Sequence, residues 1–205
     1  MTDIQIEENY NKFINLIREN IKRDGVENLI KWLNSKNAKE APASTKYHLS
    51  CKGGLIKHCL NVFDRLHRLL KMEYATSECP YSDETIAIVS LLHDISKVDF
   101  YEVQERNTKD ENGNWIKVPY YSVKDEEHRF IYGSHSMNSV YMLGKFINLT
   151  YEENLAILHH MGGMDTTEDK FTVKNVSEAY KKSGLAMLLF FADMSATFRD
   201  EGIDE

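Results

Sequence analysis

The stretch TIAIVSLLHDISK, Thr85 to Lys97, poses the question on which the fold turns. Its first eight residues are almost all apolar and read as a buried helix. Ser82 is placed to cap that helix, with Asp83 and Glu84 in its first turn. The pattern carries the helix to about Lys97. His93 and Asp94 therefore fall where a core needs hydrocarbon. A carboxylate buried without a partner costs several kcal/mol. An exposed helix end would leave Asp94 in the last turn, where the helix dipole disfavours negative charge. A cation beside the helix removes the difficulty. Neighbouring side chains point about 100° apart on a helix, and both can reach one ion lying between them.

Other helices carry the same kind of anomaly. From Gly54 to about Met72, an apolar stripe runs through Leu55, Val62, Leu66 and Leu69. His58 lies on the stripe, whereas His67 lies on the wet face with Asp64 and Lys71. In GLAMLLFFADMSATF, Asp193 follows a run of apolar or small residues and has no Lys or Arg within five residues. His135 opens a helix that begins near Ser134. His159 and His160 stand together before Gly162-Gly163, and periodicity does not choose which of them points inward. Imidazole with carboxylate, and no thiolate, suits manganese, iron, zinc, nickel or cobalt. Such an ion lowers the pKa of bound water.

The remainder of the chain is predominantly helical. Ile4–Lys22 has helical spacing, Asp24-Gly25 breaks it, and VENLIKWLN starts a second short helix. KEAPASTKYHLSCKGG is irregular. NTKDENGNW is a turn signal between FYEVQER and WIKVPYYSV, and together they predict a hairpin, the one β element. Thr150 and Glu153 form a capping box for a helix ending at Gly162-Gly163, and Asn175 with Glu178 suggests a further start. The expected fold is all-α with a small β-hairpin insertion.

With 205 residues the chain is long enough for one domain whose core needs no staples. The net charge of −7 disfavours a broad nucleic-acid or membrane surface. No apolar run approaches the about 20 residues of a membrane span. Three cysteines without a CxxC spacing, and a polar start, predict a reduced, cytoplasmic protein. Cys59 sits on an apolar stripe and reads as core.

In the order His58, His93-Asp94, Asp193, the chain resembles the HD superfamily of metal-dependent phosphohydrolases, whose pattern is H…HD…D on a helical bundle. The resemblance covers roughly Ala41 to Phe198. It is carried by GGLIKHCLNVF, LLHDISK, ILHHMGG and FFADMSATF in this order, rather than by the HD pair alone. More narrowly, the chain is similar to small HD hydrolases of low-GC Gram-positive bacteria and their phages. Lys46, His48, Gly53, Gly54 and His58 match their opening, and His93, Asp94, Lys97, Asp99, Phe100 and Tyr101 their HDI-x-K-x-DFY stretch. Their HMG signature selects His160. Their GHGEKS helix start is altered here to SHSMNS, with Met137 and Asn138 replacing Glu and Lys.

The resemblance implies an HD-domain helical bundle over 41–205, with residues 1–40 as N-terminal helices packing on it. It implies a divalent transition metal (Mn, Fe, Ni, Co or Zn), with two ions per chain. His58, His93 and Asp193 would complete one site, His135 and His160 the other, and Asp94 would bridge them. A bridging hydroxide would attack phosphorus. Lys97 would neutralise phosphate oxygens, with Lys46, His48 and Arg106 as outer substrate contacts. The few nearby positive charges and the lack of a basic surface point to a small nucleotide as substrate, a nucleoside monophosphate or deoxynucleotide, with no extended nucleic acid and no membrane, and a homodimer is compatible with the sequence. Two other chemistries share the pattern. HD-type di-iron oxygenases use the same ligands, and HD exoribonucleases or phosphodiesterases share the H…GGL…H opening. A binding module without turnover would be expected to lack a ligand residue, and here the set is complete.

Overall fold

The computed structural model describes residues 1–130, 133–165 and 170–202. Among them are eight α-helices and one two-stranded hairpin, an all-α architecture with a small β insertion. No helix among these residues is long and apolar enough to cross a membrane.

Helix α1 (Asp3–Asn20) starts at a Thr2/Gln5 capping box and buries Ile6, Tyr10, Phe13, Ile14 and Ile17. Helix α2 (Val26–Ser35) starts at Gly25, whose φ of 95° is left-handed. A Cβ at Gly25 would lie 1.9 Å from the carbonyl oxygen of Phe146, so only glycine fits there. Helix α3 (Gly54–Glu73) packs on α4 (Asp83–Leu92), and also on α8 (Gly184–Ser195). Ser82 caps α4 by accepting from the Thr85 amide. Every residue of α4 from Ile86 to Leu92 is buried, as expected of a helix that is apolar all round.

Helix α4 ends earlier than its pattern suggests. The α-helical part stops at Leu92, and a 3-10 turn runs from Ile95 to Asp99. His93 Nδ1 donates to the Ser90 carbonyl at 2.9 Å, filling an acceptor that a helix end leaves open. Asp94 then leaves helical geometry, at φ −106° and ψ 18°. The His-Asp pair is thus a helix terminus buried in the core.

The hairpin pairs β1 (Tyr101–Lys109) with β2 (Trp115–Val123), antiparallel, from Tyr101 opposite Val123 to Lys109 opposite Trp115. β1 extends three residues beyond the expected Arg106. The Asp110 carboxylate accepts from the Asn112 and Asn114 amides and compresses the turn. Helix α5 (His135–Leu143) is capped by Ser134. Helix α6 (Tyr151–Leu158) has the Thr150/Glu153 capping box but ends before His159, short of the glycines. Helix α7 (Lys170–Lys182) begins ahead of the expected Asn175. After α8 the chain does not simply stop being helical: a π-helical turn covers Ala196–Asp200.

Glu153 does more than cap. Its side chain is fully buried and accepts both Arg23 guanidinium arms, at 2.6 and 2.7 Å, and the Thr85 hydroxyl at 2.9 Å. Arg23 also reaches Glu84 and the Asn148 carbonyl. This network ties the turn after α1 to the starts of α4 and α6. Burial raises the Glu153 pKa, but the Arg23, Thr150 and Thr85 hydrogen bonds outweigh it and hold the carboxyl below its usual 4.5.

Removing one partner of such a pair strands a buried charge. Arg23→Ala is expected to cost about 3–5 kcal/mol in urea unfolding. Because the Glu153 pKa is depressed on folding, its contribution is present above about pH 4.5 and is lost as pH falls towards the folded value. Arg23→Ala should therefore flatten the acid limb of a stability–pH curve.

Candidate metal centre

Five helices deliver side chains to one buried point. His58 comes from the second turn of α3, and His93 and Asp94 from the end of α4. His135 begins α5, His160 follows the end of α6, and Asp193 lies in α8. All but His135, which is partly buried, are buried, and Asp94 is 1% exposed.

Each carboxylate oxygen of Asp94 faces a separate cluster. Oδ2 lies 3.7 Å from His58 Nε2 and 3.6 Å from His93 Nε2, and those two nitrogens are 3.3 Å apart. Asp193 Oδ1 joins this side at 3.1 Å from His58 Nε2. Oδ1 of Asp94 lies 3.5 Å from both His135 Nε2 and His160 Nε2, which are again 3.3 Å apart. The ligand atoms of His58, His93 and Asp94, and those of Asp94, His135 and His160, are close enough to hold a metal ion in each group.

The details of the site fit a cation. Asp94 Oδ1 is buried and has no hydrogen-bond partner. Such an orphaned anionic oxygen is costly unless a positive charge sits beside it. His93 Nδ1 donates to Ser90 O, and His160 Nδ1 donates to Ile157 O at 2.7 Å. Both Nε2 lone pairs are thereby left facing inward, the tautomer a metal ligand needs. Carboxylate and imidazole without thiolate match the transition metals named above.

Without a metal, protons have to balance the charge. Burial alone would lower the His58 pKa, but Asp193 and Glu201 reverse that and push it up to about 10. The neighbouring His93 goes the other way, to about 3, because burial outweighs the pull of Asp94. Burial raises the Asp94 pKa, yet Lys97 and the imidazoles hold it well below the usual carboxylate range. A positive charge on one ring takes part of the place a cation would fill.

Lys97 Nζ donates to Asp94 Oδ2 at 2.7 Å. Burial opposes its charge, but Asp94 keeps it protonated. A cavity of about 420 Å³ opens onto His58, Asp94 and Asp193, with Lys97, His48, Tyr47, Met161, Met194, Thr197 and Phe198 completing the wall. His48 is half-buried, and burial lowers its pKa. Lys46 and Arg106 are not in this wall. They share a neighbouring cleft of about 430 Å³ with Thr45, Ser50, Tyr120 and Tyr121. A separate cavity of about 300 Å³ beside Trp32, Phe100 and Phe146 contains none of these ligands.

Several residues fall elsewhere. His159, adjacent to His160, is half-buried outside both clusters, because the chain leaves helical geometry between them. His67 is half-buried with its ring edge-on to Phe63 at 4.4 Å, rather than on an open wet face. Met137 is exposed, and Asn138 is buried with its side-chain oxygen accepting from Gly133 N. Cys59 is core. One residue had no signal in the sequence. Glu201, in a run of charges near the end of the chain, is carried by the π turn to His58 Nδ1 at 3.0 Å.

A helical bundle closing on buried His–Asp clusters defines a class of α-helical proteins with histidine–carboxylate clusters that could hold a metal. A family model described as HD domain matches residues 55–195, most of the chain, and the protein belongs to the HD domain family. That family is generally one of metal-dependent hydrolases. Neither a curated protein nor a solved structure matches the chain.

Among the described residues, Asp94 is the one common to the two clusters, and Asp94→Ala removes it. The substitution should abolish transition-metal uptake, measured by elemental analysis after dialysis, while circular dichroism keeps its helical signal. An Asp94→Ala protein that still took up wild-type amounts of metal would overturn the reading of the site.

Proposed function

We propose that this protein is a phosphohydrolase that cleaves a phosphoester of a small nucleotide, a nucleoside monophosphate or deoxynucleotide. The observation that carries the proposal is Asp94, whose two oxygens face two clusters of inward-pointing imidazole nitrogens. In this reading His58, His93, Asp94 and Asp193 hold one divalent ion, and Asp94, His135 and His160 hold the second. Bound divalent ions of this kind supply Lewis acidity and lower the pKa of water to near neutrality.

The chain's own residues do the remainder. Lys97 stands in the cavity wall beside Asp94, where its ammonium can neutralise a phosphate oxygen. His48 and Tyr47 border the same cavity and would contact the group next to phosphorus. Lys46 and Arg106, in the adjoining cleft, would meet the more distant part of a nucleotide. Tyr47, Met161, Met194 and Phe198 give the cavity an apolar wall. Its volume of about 420 Å³ suits a small ligand, and the net charge of −7 offers no track for a long strand.

The decisive experiment supplies purified protein with Mn, Fe, Ni, Co or Zn and assays phosphate release from mononucleotides, cyclic nucleotides and single-stranded RNA. Fastest release from a mononucleotide is expected. Faster cleavage of RNA would favour a nuclease, and oxygen uptake by the iron form without phosphate release would favour an oxygenase.

Two variants test the assignment of roles. The wild-type protein, purified without chelator, should hold about two ions per chain, and His135→Ala about one. Lys97→Ala should lower kcat/KM by on the order of 10²-fold while leaving the metal content intact.

A further inference from the structure

The three best-buried histidines of the centre are oriented in two different ways. His93 and His160 lie just beyond the ends of α4 and α6, and each Nδ1 donates to the carbonyl three residues back. Those carbonyls are open because helix termini leave acceptors unused. His58 lies inside α3, where backbone carbonyls are engaged in the helix. Its ring needs an acceptor from elsewhere.

That acceptor is Glu201. His58 Nδ1 lies 3.0 and 3.1 Å from its two carboxylate oxygens. Asn61 Nδ2 donates to the same carboxylate at 3.0 Å, and the Glu201 side chain is fully buried. One turn further along α3, Arg65 Nε donates to Asp200 at 2.7 Å. His58, Asn61 and Arg65 follow i, i+3, i+7 spacing, so one face of α3 grips two consecutive acids. The π turn over Ala196–Asp200 delivers those acids, closed by the Glu201 amide on the Ala196 carbonyl at 3.1 Å.

We propose that Glu201 is a positioning residue that locks the His58 ring with Nε2 towards the Asp94 cluster, so that metal affinity depends on docking of the chain beyond α8. This rests on the metal reading of the site. Glu201 lies outside the segment that matches the family. A carboxylate behind a ligating imidazole fixes its tautomer and raises its basicity, and loss of such a partner typically costs about 10–100-fold in metal affinity.

The test is the equilibrium affinity of the full chain for Co(II) alone, by competition with a chelating dye, together with the Co(II) visible spectrum and the melting temperature. Glu201→Met removes the acceptor but keeps much of the volume. It should weaken Co(II) binding by about 10–100-fold and alter the spectrum. Glu201→Gln keeps an oxygen that can accept from Nδ1 and should stay within about 10-fold of wild type. If the Met variant does not fold, Glu201→Ala replaces it, and if that also fails, Asn61→Ala, which frees the Glu201 carboxylate, should weaken binding. A lower melting temperature with unchanged affinity and spectrum would make Glu201 merely structural and overturn the proposal. So would equal losses in the Gln and Met variants. A wild-type ion that disappears completely in Glu201→Gln would also overturn it, by making Glu201 a ligand of the His48–His58–Glu201 group. Wild-type protein that binds no Co(II) would overturn both this inference and the metal reading.

Discussion

The Asp94 carboxylate is the constraint around which the rest is organised. It sits in the core at 1% exposure, where an unpaired anion would cost several kcal/mol. Lys97 neutralises one oxygen directly. Four imidazoles approach to 3.5–3.7 Å, two on each side of the carboxylate. A hydrophobic core with that centre is stable only if positive charge is supplied there. The opposite pKa directions of His58 and His93, whose nitrogens are 3.3 Å apart, express the same demand, since two adjacent buried rings cannot both be charged cheaply.

Helix ends inside a core are the means by which the bundle meets this demand. α4 and α6 terminate among apolar neighbours, and their open carbonyls are used by His93 Nδ1 and His160 Nδ1. One hydrogen bond thus satisfies a backbone acceptor and sets a tautomer. Stopping α4 at Leu92 also frees Asp94 to face both clusters, which a continuing helix would not allow. The Arg23–Glu153 pair steadies this arrangement from outside the site, since Glu153 starts α6 and Arg23 also holds Glu84 at the start of α4. Errors in the placement of either helix would be transmitted to the histidine at its far end, His93 or His160.

Much of the bundle was legible in local pattern. The capping residues Ser82, Thr150 and Glu153, the apolar stripe of α3 and the turn around Asp110 read correctly because they depend on neighbours within one helical turn or one strand. Of the missed boundaries, those at the end of α4 and beyond α8 lie where a side chain takes up a backbone or distant partner. His93 ends one helix by taking a carbonyl, and a π turn extends another to bring Glu201 to α3. Lys46 and Arg106 read as outer substrate contacts, but nothing in the pattern showed that they share a cleft of their own between the loop before α3 and the hairpin. No sequence pattern measures that separation.

The sequence by itself determined that this is a helical protein, and that His58, His93, Asp94 and Asp193 are polar residues on apolar surfaces. Those properties follow from periodicity, which is local. Only the tertiary structure decided that Asp94 turns one oxygen to each cluster, that Lys97 is held by Asp94, and that Glu201 stands behind His58. Those relations join residues up to 143 positions apart. They exist only once burial has removed the water that would otherwise satisfy each group separately.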